Sequence, residues 1–237
     1  MLVHADDRHT ARRSGTVTAN VAVRTPSATV QSAPILRQGL YLRYGKRPFD
    51  VVVASLLLVV AAPVMAVVWV VLRKALGPGV VISQTRVGLH GENFEMLKFR
   101  TMKQSRRRND ATFDGTDRRR THKADSDPRH TRIGRALRKA SIDELPQLIN
   151  VLRGEMSLVG PRPELAMIVD RYQLRDHVRH QVRPGVTGDW QVTVRQDGAL
   201  LHESFDCDNA YLGEVGFFRD LSVLIRTVGV VLRAGGR

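Results

Sequence analysis

An uncharged apolar run at residues 51–72 restricts what this chain can fold into more than any other feature. A continuous helix over these 22 residues would be roughly 33 Å long, and a bilayer core is about 30 Å thick. The run is longer and richer in Val and Leu than a buried helix of a soluble domain needs. It also begins too far into the chain for a signal peptide. We therefore expect a membrane-embedded helix, with a buried soluble helix as the alternative.

Pro63 lies near the middle of this run, where a proline removes a helix hydrogen bond and bends the helix axis. Basic residues flank the run on both sides, with Arg43, Lys46 and Arg47 before it and Arg73 and Lys74 after it. Positively charged flanks tend to stay in the cytoplasm, so a straight crossing would leave one cluster on the wrong side. The pattern predicts a re-entrant helix that bends at Pro63 and returns to the same face.

The charge balance is strongly basic, with a formal net charge of +14 over 237 residues. Such an excess favours an anionic partner: nucleic acid, an anionic membrane face or a phosphorylated substrate. The polar stretch 104–130, which we interpret as a loop, contains two arginine triplets but only one aromatic residue, Phe113. Because single-stranded nucleic acid is usually held by stacking aromatics, no nucleic acid is expected. Cys207 is the only cysteine, which fits a cytosolic setting without disulfides.

Short elements beyond the apolar run predict a small, helix-dominated α+β domain. Residues 80–84 and 94–100 form two strand-like segments separated by turn residues, which predicts a short β-hairpin. We expect helices at 131–140, 164–180 and 212–232, the last amphipathic and suited to lying against the domain or the membrane interface. The domain organisation is then a disordered basic tail at 1–40, a membrane helix at 41–76 and a cytosolic domain at 77–237.

The stretch 141–163 contains the strongest candidates for chemistry. It begins with adjacent carboxylates, Asp143 and Glu144, and ends with Arg162 between two prolines. Ser141 with Glu144 matches a capping box, and Asp143 suits the positive end of a helix dipole. Basic neighbours would also keep a carboxylate ionised as a nucleophile or metal ligand. Apolar residues then recur at helical spacing and predict one buried helix face: Leu145, Leu148, Ile149, Leu152 and Met156.

Two further basic segments have open interpretations. Lys98 and Arg100 alternate with apolar neighbours, as on a solvated strand face or on an edge that faces phosphate. Residues 183–188 form a turn-rich segment whose glycines would let backbone N–H groups approach an oxyanion, with Arg183 adding charge. Any surface loop has a similar composition.

Six motifs, in this order along the chain, resemble the signature of the bacterial sugar transferases, which are monotopic polyprenyl-phosphate phosphoglycosyl transferases. They are Lys46-Arg47-Pro48-Phe49-Asp50; Gln84, Arg86 and Gly88; Lys98-Phe99-Arg100-Thr101-Met102; the stretch 141–163; Arg183-Pro184-Gly185-Val186-Thr187-Gly188; and Asp208-Asn209-Ala210-Tyr211. The resemblance covers roughly residues 44–233. Members use a re-entrant membrane helix and typically have Ser before its proline, where this chain has Ala62.

The resemblance implies transfer of a sugar-1-phosphate from a UDP-sugar to polyprenyl (undecaprenyl) phosphate, with release of UMP. This would be the first membrane step of exopolysaccharide, capsule or glycan assembly. Asp143 would be the nucleophile that forms an aspartyl-phosphosugar, assisted by Glu144. Mg²⁺ would be the cofactor, with Asp143 and Asp208 as its ligands. The side chains expected to bind substrate phosphate are Lys98, Arg100, Arg138, Arg162 and Arg183.

The resemblance also implies a location. The protein would lie in the plasma (inner) membrane, with its catalytic domain on the cytoplasmic leaflet. Two alternatives remain at this point. One is a non-enzymatic, membrane-anchored basic protein that binds anionic lipid or nucleic acid, and the other is a transferase that uses the same lipid without a covalent intermediate.

Overall fold

The computed structural model describes residues 39–103, 129–193 and 205–235. The predicted basic tail and the predicted polar loop lie almost entirely outside these residues. The described helices and strands, labelled in chain order, are α1 Lys46–Leu76, β1 Val81–Val87, β2 Asn93–Phe99, α2 Arg132–Lys139, α3 Gln147–Arg153, β3 Ser157–Val159, α4 Ala166–Arg171, β4 Gly185–Thr187, α5 Asp189–Thr193, α6 Phe205–Gly213 and α7 Phe217–Gly235. Helices dominate, which confirms the predicted α+β class.

Helix α1 follows a π-helical turn at Tyr41–Gly45 and continues for 31 residues with Pro63 inside it. It ends where Gly77 adopts a positive φ of 78°, a conformation that glycine reaches at little cost. Within the described part of the chain it is the one helix long and apolar enough to cross a membrane. The predicted long apolar helix is therefore present, while its bend and its return to the same face stay predictions.

Strands β1 and β2 form the predicted antiparallel hairpin. Val81 pairs with Phe99 at the open end, and Val87 pairs with Asn93 next to the turn. His90 and Gly91 both have positive φ in that turn, which lets the chain reverse over few residues.

Strands β3 and β4 form a two-stranded parallel sheet that the sequence pattern does not predict. Helix α3 ends at Arg153, because Gly154 terminates it with a left-handed backbone. The helix face predicted from the sequence is therefore wrong at Met156. The segment predicted as a turn-rich loop contains β4.

Two of the longer helices expected from the sequence are broken. The helix predicted over 164–180 is α4 followed by a separate 3₁₀ turn at Val178–Gln181. Gln173 adopts a positive φ of 53° between them, which a continuous α-helix does not allow. The helix predicted over 212–232 is likewise divided into α6 and α7.

Both ends of α1 pack against the rest of the chain. Near its start, Ala54 is fully buried in an apolar cluster that includes Leu148 and Val159. Near its end, Val68 and Leu72 are buried in a second cluster. Burial of one such Leu side chain contributes about 1.5–3 kcal/mol. Between the two clusters the apolar helix surface is bare, since Val59 and Val60 are each 74% exposed.

Buried polar contacts hold the same two ends. The Lys46 ammonium lies 2.6 Å from an Asp220 carboxylate oxygen and 3.4 Å from one of Asp50. It also donates to the carbonyl of Val159. At the other end of the helix, the Arg100 guanidinium donates to the carbonyl of Leu76 over 2.6 Å. These contacts fix α1 to the domain by charge as well as by packing.

Candidate functional site

The two adjacent carboxylates lie in a 3₁₀ turn, Ile142–Glu144, that joins α2 to α3. Ser141 precedes them with φ 56° and ψ 19° and makes no side-chain cap hydrogen bond. An N-cap residue normally has an extended backbone, so the predicted capping box is wrong. The turn presents Asp143 as a buried carboxylate, 9% exposed.

Arg162 meets Glu144 across this turn. One guanidinium nitrogen lies 2.8 Å from Glu144 Oε1, and the other lies 3.4 Å from Oε2. Burial alone would lower the pKa of Arg162, but Glu144 and then Asp143 raise it, and the net pKa lies above its usual value. The site therefore contains a permanent positive charge in a forked geometry that also suits phosphate.

Lys98 of β2 adds a second cation beside the same carboxylates. Burial lowers the pKa of its ammonium to about 8, with a further lowering by Arg86, while Asp143 and Glu144 oppose the shift. Among the described residues the Lys98 ammonium has no hydrogen-bond acceptor. We refer to Lys98, Asp143, Glu144 and Arg162 as the Asp143 cluster.

Buried contacts hold the turn that carries Arg162. Arg179 donates to the Arg162 carbonyl over 2.6 Å and forms an ion pair with Asp208 at 3.0 Å. Arg86 donates to the carbonyl of Pro163 and lies 3.6 Å from Glu164. Neither Arg179 nor Glu164 belongs to a recognisable sequence spacing, so their roles could not be predicted from the sequence.

Three glycines explain two of the sequence motifs. A Cβ on Gly185 would lie 2.2 Å from the Gly160 nitrogen, and a Cβ on Gly188 would lie 2.2 Å from the Gly160 oxygen. The Gly185 N–H donates to the carbonyl of Pro161. The Gly185 N–H is therefore occupied within the protein, while the approach of other backbone N–H groups of residues 183–188 to an oxyanion stays a prediction. These glycines allow the two backbones to pack closely, and that packing places the Arg162 turn.

The predicted phosphate-binding residues occupy different places. Lys98 and Arg162 lie in the Asp143 cluster, and Arg138 donates to Thr101 Oγ1, two residues after the end of β2. Arg100 donates to the carbonyl of Leu76 at the end of α1. Arg183 donates through Nε to the carbonyl of Gly154, beyond the far end of α3, a helix of seven residues and about 10 Å in length.

The predicted Mg²⁺ ligands, Asp143 and Asp208, have different partners. Asp208 is almost fully buried against Arg179, and burial raises its pKa, with Asp189 and Glu164 adding to the shift while Arg179 opposes it. Within the described residues no group of three or more His, Cys, Asp or Glu side chains could hold a metal ion. Mg²⁺, however, commonly binds one or two carboxylates together with substrate phosphates, so Asp143 fits such a site.

The arrangement brings a buried carboxylate next to two cations, of which Arg162 is held in place by Glu144. Such a carboxylate can attack an electrophilic centre. The cations can neutralise the charge of phosphate oxygens around that centre. The Asp143 cluster therefore suits reactions of anionic, phosphorylated substrates.

Comparisons with known proteins agree with this chemistry. The family model described as bacterial sugar transferase matches residues 41–234. The chain is 37% identical over 201 residues to the undecaprenyl-phosphate galactose phosphotransferase of Salmonella typhimurium, covering 82% of this chain and 42% of that protein. It is 41% identical over 207 residues to the UDP-glucose:undecaprenyl-phosphate glucose-1-phosphate transferase of Caulobacter vibrioides, covering 84% of this chain and 73% of that protein.

Relatives differ in how much of their length the chain spans. It covers less than half of the Salmonella protein. It is 34% identical over 232 residues to the exopolysaccharide production protein ExoY of Sinorhizobium fredii, covering 94% of this chain and 99% of that protein. The matched region therefore occurs both as part of longer relatives and as nearly the whole of a short one.

Proposed function

The chain belongs to the bacterial sugar transferase family, and from this membership and the Asp143 cluster we propose that it is a phosphoglycosyl transferase. It transfers a sugar-1-phosphate from a UDP-sugar to polyprenyl phosphate in the membrane. The names of its relatives support an undecaprenyl carrier and a role in exopolysaccharide production. One observation carries the proposal: Asp143 is a buried carboxylate with Lys98 and Arg162 beside it.

The reaction proceeds in two displacements at one phosphorus. An Asp143 carboxylate oxygen bonds to the β-phosphorus of the UDP-sugar, and the bond from that phosphorus to the bridging oxygen breaks, which releases UMP. A phosphate oxygen of the polyprenyl phosphate then bonds to the same phosphorus and displaces Asp143. The products are a polyprenyl diphosphate sugar and the regenerated carboxylate, so the kinetics are ping-pong.

The cations of the cluster make attack by one anion on another feasible. The protonated Lys98 ammonium has no hydrogen-bond acceptor among the described residues, so it is available to donate to a phosphate oxygen. Arg162 is already in contact with Glu144, and it orients the acidic turn while its charge lowers the repulsion between Asp143 and the diphosphate. Arg138 lies at the end of α2, where it extends the positive surface next to the cluster.

A divalent cation fits this site. Mg²⁺ would be held by Asp143 or Glu144 together with substrate phosphate oxygens, and it would supply further neutralisation of phosphate charge. Asp208, in its buried ion pair with Arg179, is a positioning residue in this proposal. It acts through Arg179 on the carbonyl of Arg162.

Helix α1 positions the site at the membrane surface. Its two ends contact the same domain, while its middle is bare and apolar. A helix that crossed the bilayer would place one of those contacts beyond an apolar core about 30 Å thick. This supports the re-entrant arrangement with the bend at Pro63, and the basic flanks support a cytoplasmic domain.

The reaction is tested with membranes containing the full chain, a short polyprenyl phosphate and a panel of UDP-sugars, beginning with UDP-glucose and UDP-galactose. We expect UMP release with at least one donor, and a loss of at least about 10³-fold in Asp143→Asn. Asp170→Asn is the matched control, because Asp170 is an exposed acid whose partner is Arg175. Full UMP release by Asp143→Asn would refute the proposed nucleophile, and no release with any donor would favour the non-enzymatic alternative.

The membrane arrangement has its own test. Single cysteines replace Arg43 and Lys74 in turn, both exposed, in a Cys207→Ser background. An impermeant thiol reagent should label both positions from the cytoplasmic side only. Labelling of the two positions from opposite sides would contradict the re-entrant helix and leave the reaction untouched.

A further inference from the structure

A cavity lined by both charged and apolar residues lies at the base of α1 and shares no residue with the Asp143 cluster. Its volume is about 230 Å³, and its lining comes from the start of α1, the turn of the hairpin, β3 and the segment before β4. The residues that carry the inference are Lys46, Arg47, Asp50, His90, Gln181 and Arg183. The proposed reaction assigns no role to Arg183, and the cavity indicates a separate role for it.

The lining is positively charged. Three cations, Lys46, Arg47 and Arg183, line the cavity. Lys46 is paired with Asp220, which lies 2.6 Å away and outside the lining, so the excess positive charge comes from Arg47 and Arg183. The lining itself contains one carboxylate, that of Asp50. That carboxylate is already neutralised in part, because it accepts from the N–H of Leu158 and contacts Lys46. An anion entering this cavity would therefore meet a net positive charge in a partly desolvated setting.

Arg183 is the donor best placed for such an anion. Lys46 and Arg47 are committed to protein acceptors, with Arg47 donating to the carbonyls of Val151 and Leu152. Arg183 donates only through Nε, to Gly154, among the described residues. Its two terminal nitrogens remain for a ligand, in the fork that fits two oxygens of a phosphate group. His90 and Gln181 are exposed at the rim.

Cavity size restricts the ligand to a small group. Sites for drug-sized ligands occupy roughly 300–1,000 Å³, which is more than this cavity offers. A nucleotide sugar therefore does not fit, whereas a phosphate or a phosphoglycerol group does.

The position of the cavity along α1 also points to a lipid. Its helical lining ends at Asp50, and Val52 is the first strongly exposed apolar residue that follows. Tyr44, on the preceding turn, is 62% exposed. Aromatic and basic residues in this order mark the head-group layer of a membrane, so the cavity lies at the depth of lipid phosphates.

We propose that this cavity binds a phosphate group at head-group depth, with Arg183 as its principal ligand and Gln181 at the rim. Arg47 supplies further positive charge from its fixed position against two backbone carbonyls. The site is separate from the reacting centre and its existence does not depend on the reaction, so binding is the readout that tests it.

The test measures the Tm of the full chain in a nonionic maltoside detergent. The added probes are dihexanoylphosphatidylglycerol, inorganic phosphate, and dihexanoylglycerol as the phosphate-free counterpart. We expect the phosphatidylglycerol to raise Tm by about 3 °C at roughly ten times its Kd, and dihexanoylglycerol to have no effect. A shift with the lipid alone identifies a lipid phosphate as the ligand, and an equal shift with inorganic phosphate identifies free phosphate.

Two cavity variants and one control variant connect the shift to the cavity. Arg183→Gln should abolish it, whereas Arg153→Gln, which removes an exposed arginine outside the cavity, should keep it. Gln181→Glu adds a negative charge at the rim without removing a described hydrogen bond, and should reduce the shift even if Arg183→Gln does not fold. A wild-type shift in folded Arg183→Gln or in Gln181→Glu, or no shift with either phosphate probe, would overturn the proposal.

Discussion

Lys46 and Lys98 are two largely buried lysines with opposite surroundings. The Lys46 ammonium has three fixed acceptors, two of them carboxylates. The Lys98 ammonium has none among the described residues, and burial lowers its pKa to about 8. A lysine whose ammonium has protein acceptors therefore stabilises the fold, whereas a lysine whose ammonium has none is available to bind a ligand.

Removal of Lys46 should have the largest effect on folding. Lys46→Met leaves Asp50 and Asp220 buried without their cation, which costs about 3–5 kcal/mol. Denaturant unfolding of the full chain in detergent measures this. An exposed lysine gives the control, and Lys74→Met should change the unfolding free energy by less than about 0.5 kcal/mol. A Lys46→Met variant as stable as wild type would remove the distinction between the two lysines.

Replacement of Lys98 should lower activity without lowering stability. Lys98→Met removes a desolvated charge, so we expect stability at neutral pH to be retained or increased. The loss of one cation from the transition state should lower kcat/KM by about 10²-fold. UMP release and denaturant unfolding, measured on the same preparation, separate the two effects. Equal losses of stability and activity would show that Lys98 is a structural residue as well.

Arg179 gives an intermediate case, since it is buried and satisfied but holds a residue of the cluster. Arg179→Lys cannot contact both Asp208 and the Arg162 carbonyl in the same way, so we expect about a tenfold loss of kcat with KM little changed. Steady-state kinetics at saturating donor measures it. A change confined to stability would show that Arg179 does not position Arg162.

The pH dependence should carry the signature of Lys98. The protonated form binds phosphate and is lost as pH rises through about 8, so kcat/KM for the UDP-sugar should fall above that pH. A bound phosphate favours the ammonium, so kcat should fall only at higher pH. Lys98→Arg should flatten the profile, because Arg stays charged. A wild-type profile that is level to pH 9.5 would contradict this role.

The same titration predicts a small trend in stability. The pKa of Lys98 is lower in the folded protein than its ordinary value of 10.5, so the unfolded chain binds more protons between about pH 8 and 10.5. The contribution of this group therefore destabilises the fold below about pH 8 and is relieved as pH rises through that window. The difference between wild type and Lys98→Met should shrink over the same range.

Local patterns in the sequence predicted the local structure. The apolar run, the hairpin and the basic helix before the carboxylates were all identified, because each depends on periodicity or turn residues within a short window. The motif order identified the family, and with it Asp143 as a candidate. The structure brings Lys98 and Arg162 close to Asp143, while their binding of phosphate stays a prediction.

Features that depend on long-range contacts could not be predicted from the sequence. Strands β3 and β4 have three residues each and pair across a long separation in sequence, so they leave no alternating pattern. The expected capping box is absent because Ser141 has a left-handed backbone. Glu144 instead contacts Arg162, which lies 18 residues further along the chain. Arg179 acts through the carbonyl of Arg162, and no spacing rule connects those two residues.

The most direct test of the central claim is to trap the intermediate on Asp143. The full chain in membranes is incubated with a radiolabelled UDP-sugar in the absence of polyprenyl phosphate, quenched in acid and digested for peptide mass spectrometry. We predict a mass increase equal to one sugar phosphate on the peptide that contains Asp143, discharged by later addition of polyprenyl phosphate. UMP release without any adduct on that peptide, or an adduct on another residue, would contradict the account.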